Sequence, residues 1–368
     1  MSAPRVLVAM SGGVDSAVAA ALLHQQGYDV LGVTLRLYTE ADGLALTSRR
    51  TCCGIEDVGD AQDAARRIGI PHYILNMERE FERDVITPFV QAYANGRTPN
   101  PCLACNQHVK FSTLLDRALA MGCDYLATGH YASVERDGDV FRLHAAQDEA
   151  KDQSYVLYTL DQAALSRTLF PLGGLPKSET RRLATELGLR SVADKPDSAD
   201  ICFVPSGDYR SLLATRGIEA RPGTIEDEAG NELGSHQGVS RYTVGQRRGL
   251  NLSSQPAQAA PERRFVTALD AARNVVVVGA QDDLARSWLR ASDPHWVGGP
   301  PEVDTPVLVR VRYHADLAPA RLTRLDGAGF ELTFDLPVRA VAPGQAAVLY
   351  ALDGREVLGG GTIEESRR

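Results

Sequence analysis

The chain has 368 residues but no apolar run approaching the ~20 residues a membrane span requires. Its start, Met1-Ser2-Ala3-Pro4-Arg5, leads directly into a strand pattern rather than a signal peptide. We expect a cytoplasmic protein without membrane contact. No cysteine follows Cys202; the six lie at Cys52, Cys53, Cys102, Cys105, Cys123 and Cys202. A secreted disulfide scaffold would be shorter and would spread its cysteines, so these read as cytosolic thiols gathered where the chemistry is. Positive charge is not in excess either: 39 Lys and Arg face 47 Asp and Glu, a formal charge of -8. Overall charge therefore does not mark a nucleic-acid binder, although Arg247-Arg248, Arg263-Arg264, Arg310 and Arg312 leave a local basic surface open. Internal repeats, low-complexity tracts and a GxxxxGK[ST] phosphate loop are also missing.

What is present begins with Met10-Ser11-Gly12-Gly13-Val14-Asp15-Ser16, between an apolar strand (Val6 to Met10) and a helix through Leu23 that Gly27 stops. Gly12 and Gly13 allow close backbone approach, and Ser11, Ser16 and the first-turn N–H groups are donors aimed at one spot. That spot suits phosphate. The plain alternative is an ordinary capped turn, since Asp and Ser are common N-caps. The Ser-Gly-Gly-x-Asp-Ser pattern resembles the pyrophosphatase loop of enzymes that split ATP between its α and β phosphates.

The length suggests two or three domains. Strands are expected at Asp29–Leu37, Pro71–Leu75 and Asp124–His130, and helices at Asp57–Ile68, Arg79–Tyr93 (bent near Pro88) and about Val109–Ala120. Glu40 to Arg50 reads as a mobile loop. Gly96-Arg97-Thr98-Pro99-Asn100-Pro101 breaks regular structure and presents the CxxC of Cys102 and Cys105. A hairpin over Ala132–Leu143 follows, then a helix capped by Ser178 and ended at Gly188, and Cys202 at the start of a short strand. Alternating strands and helices argue for a doubly wound parallel sheet in 1–205. The Gly- and Arg-rich stretch 206–262 reads as a small middle domain. Residues 263–368 read as a β-barrel, with turn signals at Asp326-Gly327, Pro343-Gly344 and Asp353-Gly354. Within it, Val307, Val309, Val311 and Tyr313 alternate with Leu308, Arg310 and Arg312, giving one buried and one basic face.

The CxxC is a redox pair, half a metal site, or two buried thiols. No second CxxC completes a zinc set, Cys52-Cys53 is an adjacent pair whose side chains diverge, and Cys123 reads as core. Cys105, placed before the expected helix, is the better nucleophile.

Taken together, Ser11 to Ser16, Thr98 to Asn106, Thr128 to Tyr131, Lys151 to Tyr155, Asp197 to Phe203, Tyr242 to Arg247 and Pro343 to Ala346 resemble, in order along nearly the whole chain, the bacterial tRNA-specific 2-thiouridylases. The resemblance implies an ATP-pyrophosphatase domain, a small central domain and a β-barrel. The implied reaction is ATP-dependent 2-thiolation of the wobble uridine in tRNAs for Lys, Glu and Gln, releasing AMP and pyrophosphate. It implies an ATP and Mg2+ site at Ala9, Met10, Ser11, Gly12, Gly13, Val14, Asp15, Ser16 and Gly129, with Leu35 near the adenine. Asn100, Pro101 and Cys102 would approach the base, Cys105 would be the nucleophile and Cys202 the persulfide carrier. His130, Lys151, Asp152, Gln153, Arg312, Tyr313 and Gln345 would contact the tRNA anticodon stem-loop, and a cysteine desulfurase or sulfur-relay protein would supply the persulfide. Some family members carry Asp, proposed as an acid/base, where this chain has Cys102. Cys102, Cys105 and Cys202 could instead hold a [4Fe-4S] cluster. Two other readings stay open: an ATP-splitting synthetase acting on a small substrate, and a non-catalytic RNA-binding protein whose cysteines bind zinc.

Overall fold

A continuous apolar strand needs cover on both faces, and β1 (Arg5–Ala9) has it at the centre of a five-stranded parallel sheet ordered β3-β2-β1-β4-β7. The computed structural model describes residues 3–38, 55–196, 201–204, 208–250, 252 and 263–368. Helix α1 (Val14–Gln25) and β2 (Asp29–Arg36) follow β1, then α2 (Ile55–Ile68) and β3 (His72–Asn76). One apolar core, with Ala19, Ala20, Ala64 and Ala184, lies under α1; the other, with Phe81, Phe89 and Leu114, lies across the sheet. The expected Glu40–Arg50 loop, Cys52, Cys53 and Asp197–Asp200 lie outside the described residues, as do parts of 206–262.

The helix expected over Arg79–Tyr93 is α3 (Glu78–Phe81), a π-helical stretch (Glu82–Ile86) and α4 (Thr87–Ala94). The π turn precedes Pro88, whose ring removes a backbone donor. The next helix begins at Pro101, eight residues before the expected Val109. It runs as α5 (Pro101–Ala104), a π-helical stretch (Cys105–Leu114) and α6 (Leu115–Ala120). Asn100 caps it, its Oδ1 accepting the Cys102 N–H at 3.0 Å. Pro101 therefore starts a helix, because proline at the first position forfeits only an N–H that would have no intrahelical partner.

After β4 (Tyr125–Ala127) comes the hairpin of β5 (Ala132–Asp137) and β6 (Val140–Ala145). Then come α7 (Gln162–Leu165), β7 (Thr168–Leu169), α8 (Lys177–Glu186) and α9 (Arg190–Ala193). Pro176, not Ser178, is the N-cap of α8. Ile201 to Val204 form a turn instead of the expected strand, with Phe203 edge-on to Phe81 and Phe89 at 5.5 and 5.3 Å.

Helix α10 (Tyr209–Thr215) leads to a four-stranded sheet ordered β10-β11-β8-β9. Its strands are β8 (Gly223–Asp227), β9 (Glu232–His236), β10 (Phe265–Asp270) and β11 (Val275–Gly279). Strands β10 and β11, expected in the barrel, complete this middle sheet because Val266, Val276 and Val278 form its core with Ile225 and Tyr242. The barrel proper is β12 (Ala285–Trp296), β13 (Pro306–Arg310), β14 (Ala318–Asp326), β15 (Gly329–Arg339), β16 (Ala346–Tyr350) and β17 (Glu356–Arg367). It closes through β12–β17 pairing, and β6 extends its sheet by pairing with β17. The β5–β6 hairpin, in the first domain by sequence, is thus shared with the barrel.

Candidate active site

Strand order reverses direction at β1, with β2 on one side and β4 on the other, so a crevice opens beyond their carboxyl ends. The Ser11–Ser16 loop fills one wall and Thr128–Tyr131 the other. Gly129 comes so close that a Cβ there would lie 2.7 Å from the Ser16 nitrogen. Gly12, at φ +74°, is in the left-handed region, and a Cβ on it would overlap the Asp57 carbonyl. Helix α1 has Gly13 as its N-cap and no side chain capping it, leaving its first-turn donors to a ligand.

The expected loop residues divide by role. The Ser16 hydroxyl accepts the Ser11 N–H at 3.0 Å and donates to the Gly13 carbonyl at 3.2 Å, bracing the loop from within. Met10 is buried; its N–H bonds Val33 O at 2.7 Å and its carbonyl accepts the Thr34 hydroxyl at 2.7 Å, so it staples the loop to β2. Ala9 ends β1, Val14 is buried at the start of α1, and Leu35 is buried on β2. Asp15 is held by Lys177, whose Nζ lies 2.6 and 2.7 Å from its two oxygens, and by the Tyr131 hydroxyl at 2.9 Å. On the other side Lys195 donates to the Gly12 carbonyl at 3.2 Å and pairs with Asp60 at 2.8 Å and with Asp57.

The loop lacks a lysine of its own, yet two ammonium groups from later in the chain reach it. Sequence reasoning missed both, together with Tyr131, Asp57 and Asp60. The helix expected from a Ser178 cap left Lys177 outside it, whereas α8 starts at Lys177, where a cation opposes the dipole and needs an anionic partner.

Cys102 is exposed, Cys105 buried and Cys202 half-buried. Because the helix starts at Pro101, Cys102 occupies its first turn and Cys105 lies a full turn inside, its N–H bonded to the Pro101 carbonyl. The helix-start argument expected for Cys105 therefore attaches to Cys102. Cys105 and the turn bearing Cys202 share one apolar core, and the Cys202 carbonyl accepts the Tyr38 hydroxyl at 2.9 Å just beyond β2. Among the described residues no three Cys, His, Asp or Glu side chains gather as a metal-holding group. Cys102, Cys105 and Cys202 do not form such a group as placed.

The residues expected at the tRNA are distributed unevenly. Tyr313 hydrogen-bonds Gln153 and stands beside Cys102: burial pushes its phenol up to about 12, the Gln153 bond lowers it and the Cys102 thiol raises it. Gln153 also accepts the Tyr131 N–H at 3.0 Å. His130, half-buried, bonds Thr128 through Nδ1 at 2.6 Å and packs among Phe111 and Phe170. Desolvation, then the Lys110 charge, holds its imidazole well below the ordinary 6.5. Lys151 is half-buried. Asp152 is buried and paired with Arg310 at 2.8 Å. The Gln345 amide donates to the Thr98 carbonyl at 2.6 Å, and Arg312 donates to the carbonyls of Val244 and Ala340 at 3.3 and 3.2 Å. The strand expected to run through Tyr313 ends at Arg310, and its expected basic face is turned into domain junctions: Arg310, the last residue of β13, toward the first domain, and Arg312, beyond the strand, toward the middle one.

Fold and site define an α/β domain with a glycine-rich loop at the switch point of its sheet, joined to two β modules. Residues 4–206 match the family model described as the tRNA methyl transferase HUP domain, 211–280 its PRC-barrel domain, and 286–363 the aminomethyltransferase beta-barrel domain. A tRNA-specific 2-thiouridylase from Roseiflexus castenholzii is 48% identical over 98% of this chain and 99% of its own. Those from Acidothermus cellulolyticus (48% identical; 99% of this chain, 98% of that one) and a Methylobacterium species (49%; 98% and 94%) are as similar. The chain belongs to the tRNA-specific 2-thiouridylase family.

Proposed function

We propose that this protein replaces O2 of the wobble uridine in the tRNAs for Lys, Glu and Gln by sulfur, consuming ATP and a cysteine persulfide. The observation that carries the ATP half is the uncapped start of α1 behind Gly12-Gly13, with Lys177 and Lys195 beside the loop. In this reading the uridine oxygen attacks the α-phosphorus and pyrophosphate leaves, held by the loop. Mg2+ arrives with the phosphates rather than in a protein cage. Adenylation turns a poor leaving group into AMP; each ~1.36 kcal/mol taken from the barrier to substitution at C2 is worth tenfold in rate.

The sulfur half uses Cys202 and Cys105. The Cys105 thiolate attacks the inner sulfur of the Cys202 persulfide, forming a Cys105–Cys202 disulfide and releasing sulfide, which displaces AMP from C2. Alternatively the outer persulfide sulfur attacks C2 first and Cys105 then cleaves the S–S bond. Both routes end in the same disulfide, which an external thiol must reduce before a cysteine desulfurase or relay protein reloads Cys202. The base, extruded from the anticodon stack, would be received beside Asn100, Pro101, Cys102 and Tyr313.

The test pairs two readouts on purified protein with tRNA, ATP and a persulfide donor. Pyrophosphate release that depends on tRNA and 2-thiouridine formation are expected together, with Cys202→Ser abolishing only the second. Cys202→Ser protein that still forms 2-thiouridine would overturn the sulfur route, and pyrophosphate release indifferent to tRNA would favour a small-substrate synthetase.

A further inference from the structure

The two cysteines of the CxxC differ in access, and one helical turn separates them. Cys102 is exposed in the first turn of the helix that Asn100 caps. Cys105 is only 8% exposed and belongs to the apolar core against which Cys202, half-buried, is packed. The Cys105 N–H is bonded to the carbonyls of both Pro101 and Cys102, so the backbone between the two thiols is a closed helical turn. Residues three apart in a helix share a face, with Cα atoms about 5 Å apart, inside the span of roughly 4.4–6.8 Å that a disulfide bridges. A Cys102–Cys105 bond therefore asks for side-chain rotation and leaves the turn wound.

The sulfur route above, on which this inference rests, ends in a disulfide between the buried Cys105 and the half-buried Cys202, where an external thiol has poor access. We infer that Cys102 is a resolving thiol, which opens the Cys105–Cys202 disulfide from within the chain and carries the oxidation out to the surface. The Cys102 thiolate attacks Sγ of Cys105. The Cys102–Cys105 bond forms, the Cys105–Cys202 bond breaks, and the electron pair leaves on Cys202, which takes from solvent a proton matching the one Cys102 gave up. One disulfide replaces another, and no electrons are consumed. The external thiol, a dithiol reductant, then acts at the exposed Sγ of Cys102 rather than on the inner bond. Cys105 leaves as thiolate, and the second thiol of the reductant releases Cys102, so that two electrons and two protons enter and the oxidised dithiol departs. Cys202 is again a thiol that can accept a persulfide sulfur, and the reductant never enters the core.

The test loads the whole protein with sulfur from a cysteine desulfurase and cysteine, removes the donor and all small thiols, and allows one turnover with tRNA, Mg2+ and ATP. The reaction is quenched in acid, alkylated with N-ethylmaleimide and digested with trypsin. Cys102 and Cys105 lie together on the tryptic peptide 98–110 and Cys202 on 191–210, so mass spectrometry separates the two bonds. In the unsubstituted protein, peptide 98–110 is expected to lack two hydrogens and to carry no maleimide, with Cys202 alkylated. In Cys102→Ser and Cys102→Ala that internal bond is lost, and 98–110 is linked to 191–210 instead. Counting linkage per 2-thiouridine formed keeps a slowly turning variant informative. Unsubstituted protein that stops at the link between 98–110 and 191–210 overturns the inference, as do variants that release Cys202 as a thiol. If 2-thiouridine forms with neither disulfide, the sulfur route above falls, and this inference with it.

Discussion

Arg310 of β13 and Asp152 of the first domain form a buried ion pair at 2.8 Å, with side chains 16% and 2% exposed, and the guanidinium lies over the Tyr350 ring. Asp152 also accepts the N–H groups of Ala146 and Ser154 and the Ser154 hydroxyl. With the Tyr155 hydroxyl on Ala346 O, Gln345 on Thr98 O, and Arg97 paired to Glu364 at 2.7 Å, this pair bolts the barrel to the loop that presents Cys102 and Cys105. The barrel thereby fixes the position of the CxxC loop as well as contributing Tyr313.

Arg310→Met leaves the Asp152 charge buried without its cation. A loss of about 3–5 kcal/mol is expected, read as a lowered midpoint in urea unfolding. Adding Asp152→Asn should recover part of it, and a single variant as stable as the unsubstituted protein would contradict the assignment.

Lys177→Met removes the ammonium from Asp15 and turns that carboxylate toward incoming phosphate. Nucleotide affinity in equilibrium dialysis should fall about 10- to 100-fold, the equivalent of a charge-assisted hydrogen bond of ~1.5–3 kcal/mol. Tyr131→Phe, which deletes one neutral donor to Asp15, should cost roughly tenfold or less.

His130 makes stability depend on pH in a definite direction. Its folded-state pKa is depressed by desolvation from the ordinary 6.5. Between the two values the unfolded chain binds a proton that the folded one refuses, so stability is full above about 6.5 and declines as pH falls below it. His72 and His236 are depressed by burial too and add slope of the same sign. The difference between the unsubstituted protein and His130→Gln isolates one contribution: urea titrations across about pH 5–8 should show a shallower acid slope in the variant. Identical slopes would contradict the desolvated, neutral imidazole.

Gly129→Ala introduces a methyl 2.7 Å from the Ser16 nitrogen, against backbone that cannot yield. The start of α1 must move, so nucleotide binding should be lost before the fold is, with a stability cost of about 1–3 kcal/mol. Dialysis and urea unfolding on the same preparation separate the two effects.

The loop, the parallel sheet and the barrel were legible because each is written in local chemistry: Gly12-Gly13 before an alanine-rich helix, continuous apolar strands, and period-two alternation with regular turns. The start of the CxxC helix was legible too, in Asn100-Pro101, but proline read as a breaker conceals its preference for the first helical position. Arg310 and Arg312 were harder. Alternation along β13 gives a polar face without saying what covers it, and the covering groups, Asp152, Val244 and Ala340, are distant in sequence. The same holds for Lys177 and Lys195, which lie more than 160 residues beyond the loop they serve, and for the β5–β6 hairpin, whose pairing with β17 no local pattern records.

The most direct test of the central claim is mass spectrometry of anticodon nucleosides from cells lacking this protein. The account predicts that 2-thiouridine disappears from the wobble position of the tRNAs for Lys, Glu and Gln and returns with the unsubstituted chain but not with Cys202→Ser. Unchanged 2-thiouridine in the deletion strain would contradict it.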